Sequence, residues 1–161
     1  MAHDVTGIPA ELRLSFDAAP SAETRGLLGQ AINQFHAQTV PHDPQRFALL
    51  LRDDDNQLVA GLSGLLSWQW LFVEALWVSD NWRSRGIGRS LLLQAEAHAV
   101  TTGCHSVWLD TFQARDFYQA LGYQQFGALD DYPVGQTRYF LRKRLHRDIN
   151  KQPEGTDQCP T

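Results

Sequence analysis

The chain has 161 residues, 43% of them hydrophobic and 20% charged, with a formal net charge of −4. That size and apolar content suit one domain around a single core, and the acidic balance excludes nucleic-acid binding through bulk positive charge. No apolar run of roughly 18 residues and no basic-then-apolar leader is visible, so neither a membrane span nor a signal peptide is expected. Cys104 and Cys159 lie far apart, which points away from a disulfide framework and towards a reducing, cytoplasmic setting.

In chain order, "ELRLSF" (residues 11–16) alternates polar and apolar residues and predicts a strand. "SAETRGLLGQAINQFHAQ" follows as a helix, with Ser21 as N-cap and Leu27, Leu28, Ile32 and Phe35 at helical spacing, ended by Pro41 and Pro44. "FALLLRD", "DDNQ" and "LVAGLSGLLSW" read as strand, turn, strand, and a short turn near residues 67–69 leads into the apolar strand "WLFVEALWV" (residues 70–78). After the loop "SDNWRSRG" comes a helix with Ile87, Leu91, Leu92, Ala95 and Ala99 on one face and Gly103 as its stop. "SVWLDTF" is the next strand, parallel to residues 70–78 through a right-handed crossover. A short helix "ARDFYQALG" closes at Gly122, and "YQQFGAL" and "TRYFLRKRL" read as two last strands. The prediction is an α/β (α+β) mixed sheet of six or seven strands over residues 1–145, with residues 146–161 as a polar tail.

Six histidines raise a metal site, but none pairs at i, i+4 with a neighbouring glutamate and no cysteine pair lies close, so no metal is expected. "GLSG" at Gly61–Gly64 falls short of a nucleophile elbow because Leu65 stands where glycine is needed. The stretch "NWRSRGIGRSLL" is more informative. Gly86 and Gly88 let a ligand approach the backbone at a helix start, whose open N–H groups and dipole favour an anion. Arg83, Arg85 and Arg89 add charge-assisted donors. Close helix–strand packing beside solvated arginines is the alternative. A P-loop string is absent, and Leu91 replaces the third glycine of the dinucleotide fingerprint.

What remains is R-x-x-G-x-G, Arg83-Ser84-Arg85-Gly86-Ile87-Gly88, preceded by Leu76-Trp77-Val78 and followed by F-Y-x-x-L-G-Y from Phe117 to Tyr123. In this order the motifs resemble the acetyl-CoA site of the GNAT N-acetyltransferase superfamily, from about Glu11 to Leu145. The resemblance implies a GNAT-like fold, mostly antiparallel, with about four helices and a parallel central pair splayed apart. It implies acetyl-CoA as donor, its pantetheine arm along Leu76, Trp77 and Val78, and its pyrophosphate on the N–H groups from Arg85 to Arg89, with Ser84, Gly86, Ile87 and Gly88 in the loop and Arg83 framing it.

Within that resemblance Glu74, charged in an apolar strand and sharing parity with Leu76 and Val78, is either the general base or a structural glutamate paired with an arginine. Tyr118 either protonates the departing thiolate or packs beside Phe117 and Leu121. The N–H near Val78 would receive the oxyanion. Trp68, Trp70, Trp77, Phe112, Tyr132 and Tyr139 are core or pocket wall, and Phe35, His36 and His42 occupy a region that lines the acceptor site in the family. The expected activity is acetyl transfer to a primary amine of a small molecule or peptide by direct attack in a ternary complex, by a protein that neither binds nucleic acid nor enters a membrane and that forms a homodimer by analogy. A non-catalytic acyl-CoA-binding module is the alternative, with a dinucleotide-binding protein third.

Overall fold

The computed structural model describes residues 7–9, 11–41 and 44–146, and the chain divides after residue 42 into two compact units. His42, Cys159 and nearly all of the polar tail lie outside the described residues. The first unit carries helix α1 (Ala22–Ala37). The Ser21 hydroxyl accepts the N–H of Thr24 at 3.0 Å, taking up one of the amides that a helix start leaves open. No residue of α1 is buried, its leucines included. The expected strand over residues 11–16 does not form: the segment is irregular, and Leu12, Leu14 and Phe16 are exposed. Alternation prepares two faces for a strand but supplies no neighbour to bond its backbone, and no ladder includes these residues.

The second unit is a six-stranded sheet in the order β1-β2-β3-β4-β6-β5. Its strands are β1 (Gln45–Arg52), β2 (Leu58–Ser67), β3 (Trp70–Val78), β4 (Ser106–Thr111), β5 (Gln124–Asp130) and β6 (Thr137–Arg144). All neighbours are antiparallel except β3 and β4, which are parallel and joined through α2 (Ile87–Thr101), as the crossover reading requires. Among the described residues there are three α-helices, α3 being Arg115–Ala120, against about four expected, and the loop after β3 carries a 3-10 turn at Asp80–Trp82. No described helix is long and apolar enough to cross a membrane.

The β2–β3 hairpin turns on Trp68 and Gln69, both left-handed at φ 47° and 63°, the geometry that matches strand twist in a two-residue hairpin. The Gln69 carbonyl then accepts the N–H of His105 at 2.9 Å, which ties the start of β4 to the start of β3.

One face of the sheet packs on α2. Leu91, Leu92, Ala95 and Ala99 meet Leu62, Leu66, Leu71, Val73, Val107, Leu109 and Leu141, all buried. Gly64 is needed there for space: a Cβ would fall 2.8 Å from Leu71 Cδ1 and 2.9 Å from Phe47 Cε1. This core also holds one charge. Glu96 of α2 accepts the Tyr123 hydroxyl at 2.8 Å and Lys143 Nζ at 2.7 Å, so each of its oxygens has a donor. Burial first, then the adjoining Glu96 carboxylate, pushes the Tyr123 phenol well above its ordinary value and keeps it a donor.

Candidate active site

β3 and β4 share only three rungs, Trp70↔Ser106, Leu71↔Val107 and Phe72↔Trp108. Past them β3 runs on to Val78 bonded to β2 alone, and β4 runs on to Thr111 bonded to β6 alone. Both strands therefore keep backbone N–H and C=O groups unpaired along their inner edges, which suits an extended, amide-bearing ligand. Leu76, Trp77 and Val78 lie on that open stretch; Leu76 and Val78 pack against the core and Trp77 is exposed.

The loop after β3 is held by Arg83. Its Nε donates to the Val78 carbonyl at 3.0 Å and its Nη1 pairs with Asp80 at 2.9 Å, so this arginine braces the loop. Ser84 at φ 60° and Gly86 at φ 78° then turn the backbone into α2. Gly86 is the N-cap of α2 and no side chain caps that helix, so the N–H groups of its first turn, Ile87, Gly88 and Arg89, remain open. No acid stands in that turn. Arg85 lies 4.9 Å over the Trp82 ring, and Arg89 has no carboxylate partner among the described residues. Gly88 faces Val78 and Phe117, where an added Cβ would meet them at 3.8 and 3.6 Å, so the first turn of α2 lies beside the end of the open strand. Open amide donors and the helix dipole make this turn fit for an anion, and Arg85 and Arg89 flank it in the chain.

Glu74 is not where its parity placed it. The β2–β3 register passes from Gly64↔Val73 to Ser63↔Ala75, so Glu74 is the extra residue of a β-bulge. The bulge turns Glu74 and Ala75 together away from the core, while Leu76 and Val78 return to it. Glu74 therefore stands on the side away from the core, its Oε1 3.2 Å from Arg46 Nη2. Tyr118 is buried at 7% exposure, edge-on to Phe117 and Tyr123, and its hydroxyl has no hydrogen-bond partner among the described residues. Burial, and then the charge of Asp110, push its phenol up to about 12.

A sheet opened beside an uncapped, arginine-flanked helix start is the arrangement that the motifs implied, and the Acetyltransferase (GNAT) family model matches residues 13–123. This chain belongs to the GNAT acetyltransferase family. The acetyltransferase is 42% identical over 92 residues to the blasticidin-S acetyltransferase of Streptomyces morookaense, across 55% of this chain and 68% of that one. It is 34% identical over 105 residues to the acetyltransferase Atu2258 of Agrobacterium fabrum, across 64% and 77%. A crystal structure from Agrobacterium tumefaciens shares its fold at a TM-score of 0.78 and 27% identity, over 83% of this chain and 99% of its own. GNAT relatives bind coenzyme A or acetyl-CoA.

Three side chains at or near the site escaped the sequence reading. Asp110 and Arg138 form an ion pair between β4 and β6, and Glu96 anchors α2. Glu96 left a signal, a carboxylate within an otherwise apolar helix face; Asp110 and Arg138 lie 28 residues apart and left none. Of the expected acceptor-side residues, Tyr132 and Phe112 flank Arg138, Tyr139 packs against the core, and Phe35 and His36 lie on α1.

Proposed function

We propose that the acetyltransferase moves the acetyl group of acetyl-CoA to a primary amine of a small, antibiotic-like molecule by direct attack in a ternary complex. The observation that carries this reading is the uncapped first turn of α2 beside the unpaired edge of β3. The open amides from Arg85 to Arg89 hold the pyrophosphate, Arg83 fixes the loop, and the pantetheine amides bond to the edge at Leu76, Trp77 and Val78.

The acceptor attacks as a free amine, so an ammonium proton must leave first. Glu74 takes it directly or through water, and to do so it must release Arg46. The amine nitrogen then forms a bond to the thioester carbon, and the negative charge that builds on the carbonyl oxygen is met by the backbone N–H near Val78. As the carbon–sulfur bond breaks, Tyr118 supplies a proton to the thiolate, and the proton shed by the new amide nitrogen returns the phenolate to phenol through water. A phenol raised to about 12 stays protonated throughout the working pH range but is a weaker acid than a thiol at about 8.5, so its transfer is concerted with that return.

The likeness to a blasticidin-S acetyltransferase makes blasticidin S the first acceptor to test. Incubation with acetyl-CoA, a thiol reagent and a panel of amines including blasticidin S should release coenzyme A only when a suitable acceptor is present. Tight coenzyme A binding without release for any acceptor would leave a non-catalytic acyl-CoA-binding module. Stabilisation by NAD and not by coenzyme A would overturn both readings.

A further inference from the structure

Two carboxylates border the gap between β3 and β4, and their circumstances differ. Glu74 on β3, its side chain 29% exposed, is engaged by the well-exposed Arg46. Asp110 lies on β4 two residues beyond Trp108, the last residue of that strand to pair with β3, and opposite Phe140 of β6. Its side chain is only 22% exposed. Arg138 Nη1 donates to Asp110 Oδ1, and the Arg138 guanidinium is clamped over the Tyr132 ring at 4.4 Å, with the Phe112 ring at 5.8 Å. The Arg138 Nε is buried with no acceptor among the described residues, so the side chain carries a desolvation cost there. A guanidinium locked in this way fixes the direction of the carboxylate that it grips. The other oxygen, Oδ2, has no partner among the described residues.

Asp110 is also near the reacting end, since its charge contributes to the raised phenol of Tyr118. On the same face, one rung back, Phe72 and Trp108 stack with ring centroids 4.1 Å apart and planes at 14°. This face therefore offers an acceptor atom for an N–H and, beside it, the apolar edges of two rings stacked on each other.

We infer that Asp110, oriented by Arg138, receives the N–H of the acceptor amine, and that the site selects cationic amines whose flat apolar flank lies along Phe72 and Trp108. The inference rests on the acetyltransferase reading and names the acceptor end of that same site. Asp110 binds and aims the amine; the proton still leaves by the route through Glu74 or water.

The full chain, with acetyl-CoA as donor and phenethylamine and blasticidin S as acceptors, tests it. Asp110→Asn should raise the acceptor KM by about tenfold or more, the range lost with a charge-assisted hydrogen bond, and leave the acetyl-CoA KM within about twofold. Inhibition by N,N-dimethylphenethylammonium, which keeps one N–H but cannot form a stable amide, should weaken in parallel, while inhibition by its neutral carbon isostere should not change. An unaltered acceptor KM, or equal weakening for both inhibitors, would overturn the inference. Because Asp110→Asn leaves Arg138 without its partner, the double variant Asp110→Asn/Arg138→Gln removes both charges and should show the same rise; a return to the wild-type acceptor KM would also overturn it. Calorimetric binding of N,N-dimethylphenethylammonium to coenzyme A-loaded protein needs no turnover. A wild-type protein that binds the cation through Asp110 yet releases no coenzyme A would overturn the enzymatic reading and keep this one, whereas an active wild type that binds it equally well without Asp110 would do the reverse.

Discussion

Two stretches of α2 answer to opposite demands. Its first turn has no capping side chain, no acid and two glycines at or beside it, so several amide groups have nothing to bond. Three turns on, Glu96 is buried and both of its oxygens are engaged, by Tyr123 and Lys143. A helix start this bare is weak as structure and good as an anion site, because the same unsatisfied donors do both. The Glu96 node has the opposite character: with every partner inside the chain, it has nothing left to offer a ligand. The difference teaches where to look for function in this fold, namely at donors left open within an otherwise satisfied framework.

Removing the anchor should have the largest effect. Glu96→Ala leaves the Lys143 ammonium and the Tyr123 hydroxyl without their acceptor, and the expected loss is about 3 kcal/mol of stability, near the lower end for a broken buried pair because Lys143 is partly exposed. Urea denaturation measures it, and a loss under about 1 kcal/mol would mean that the node is not an anchor. Coenzyme A affinity of the folded fraction should hardly change.

The converse experiment is at the first turn. Gly88→Glu sets a carboxylate against the expected pyrophosphate and should weaken coenzyme A binding by about two orders of magnitude, with little change in melting temperature. Gly88→Ala is the control. Its Cβ meets Phe117 and Val78 at ordinary contact distance, so its effect should stay within about threefold. Equal losses for the two variants, by calorimetry, would mean that space and not charge decides.

The smallest effect concerns Tyr118. Its phenol is raised in the folded protein to about 12, against about 10 when unfolded, so its contribution to stability is complete below pH 10 and is lost as pH rises towards 12. Between pH 8 and 11 the wild type should lose about 1.4 kcal/mol more than Tyr118→Phe. Identical pH dependence in the two proteins would show that the tyrosine titrates freely, and it would then be a poor candidate for a donor held neutral by the fold.

Much of the site was legible because its signals are local. The two glycines, the three arginines and the helix that follows occupy one short run, and the structure joins them in the order in which they are written. The strands of the second unit were legible for the same reason, through alternation and turn residues. Glu74 was placed on the wrong face because its parity with Leu76 and Val78 assumed an unbroken strand, and a bulge is set by the pairing with β2. Residues 11–16 show the same limit: the pattern of a strand was present and a partner was not.

By itself, then, the order of residues determined the family, the α2 start with its open amides, and the tyrosine after β4, since each depends on contacts within a few positions. Only the tertiary structure decided that β3 and β4 part after Phe72 and Trp108, that Glu74 turns outward to Arg46, and that Arg138 grips Asp110. Those outcomes are set by which strands become neighbours and by their register, and the energies that choose a register come from side chains far apart along the chain.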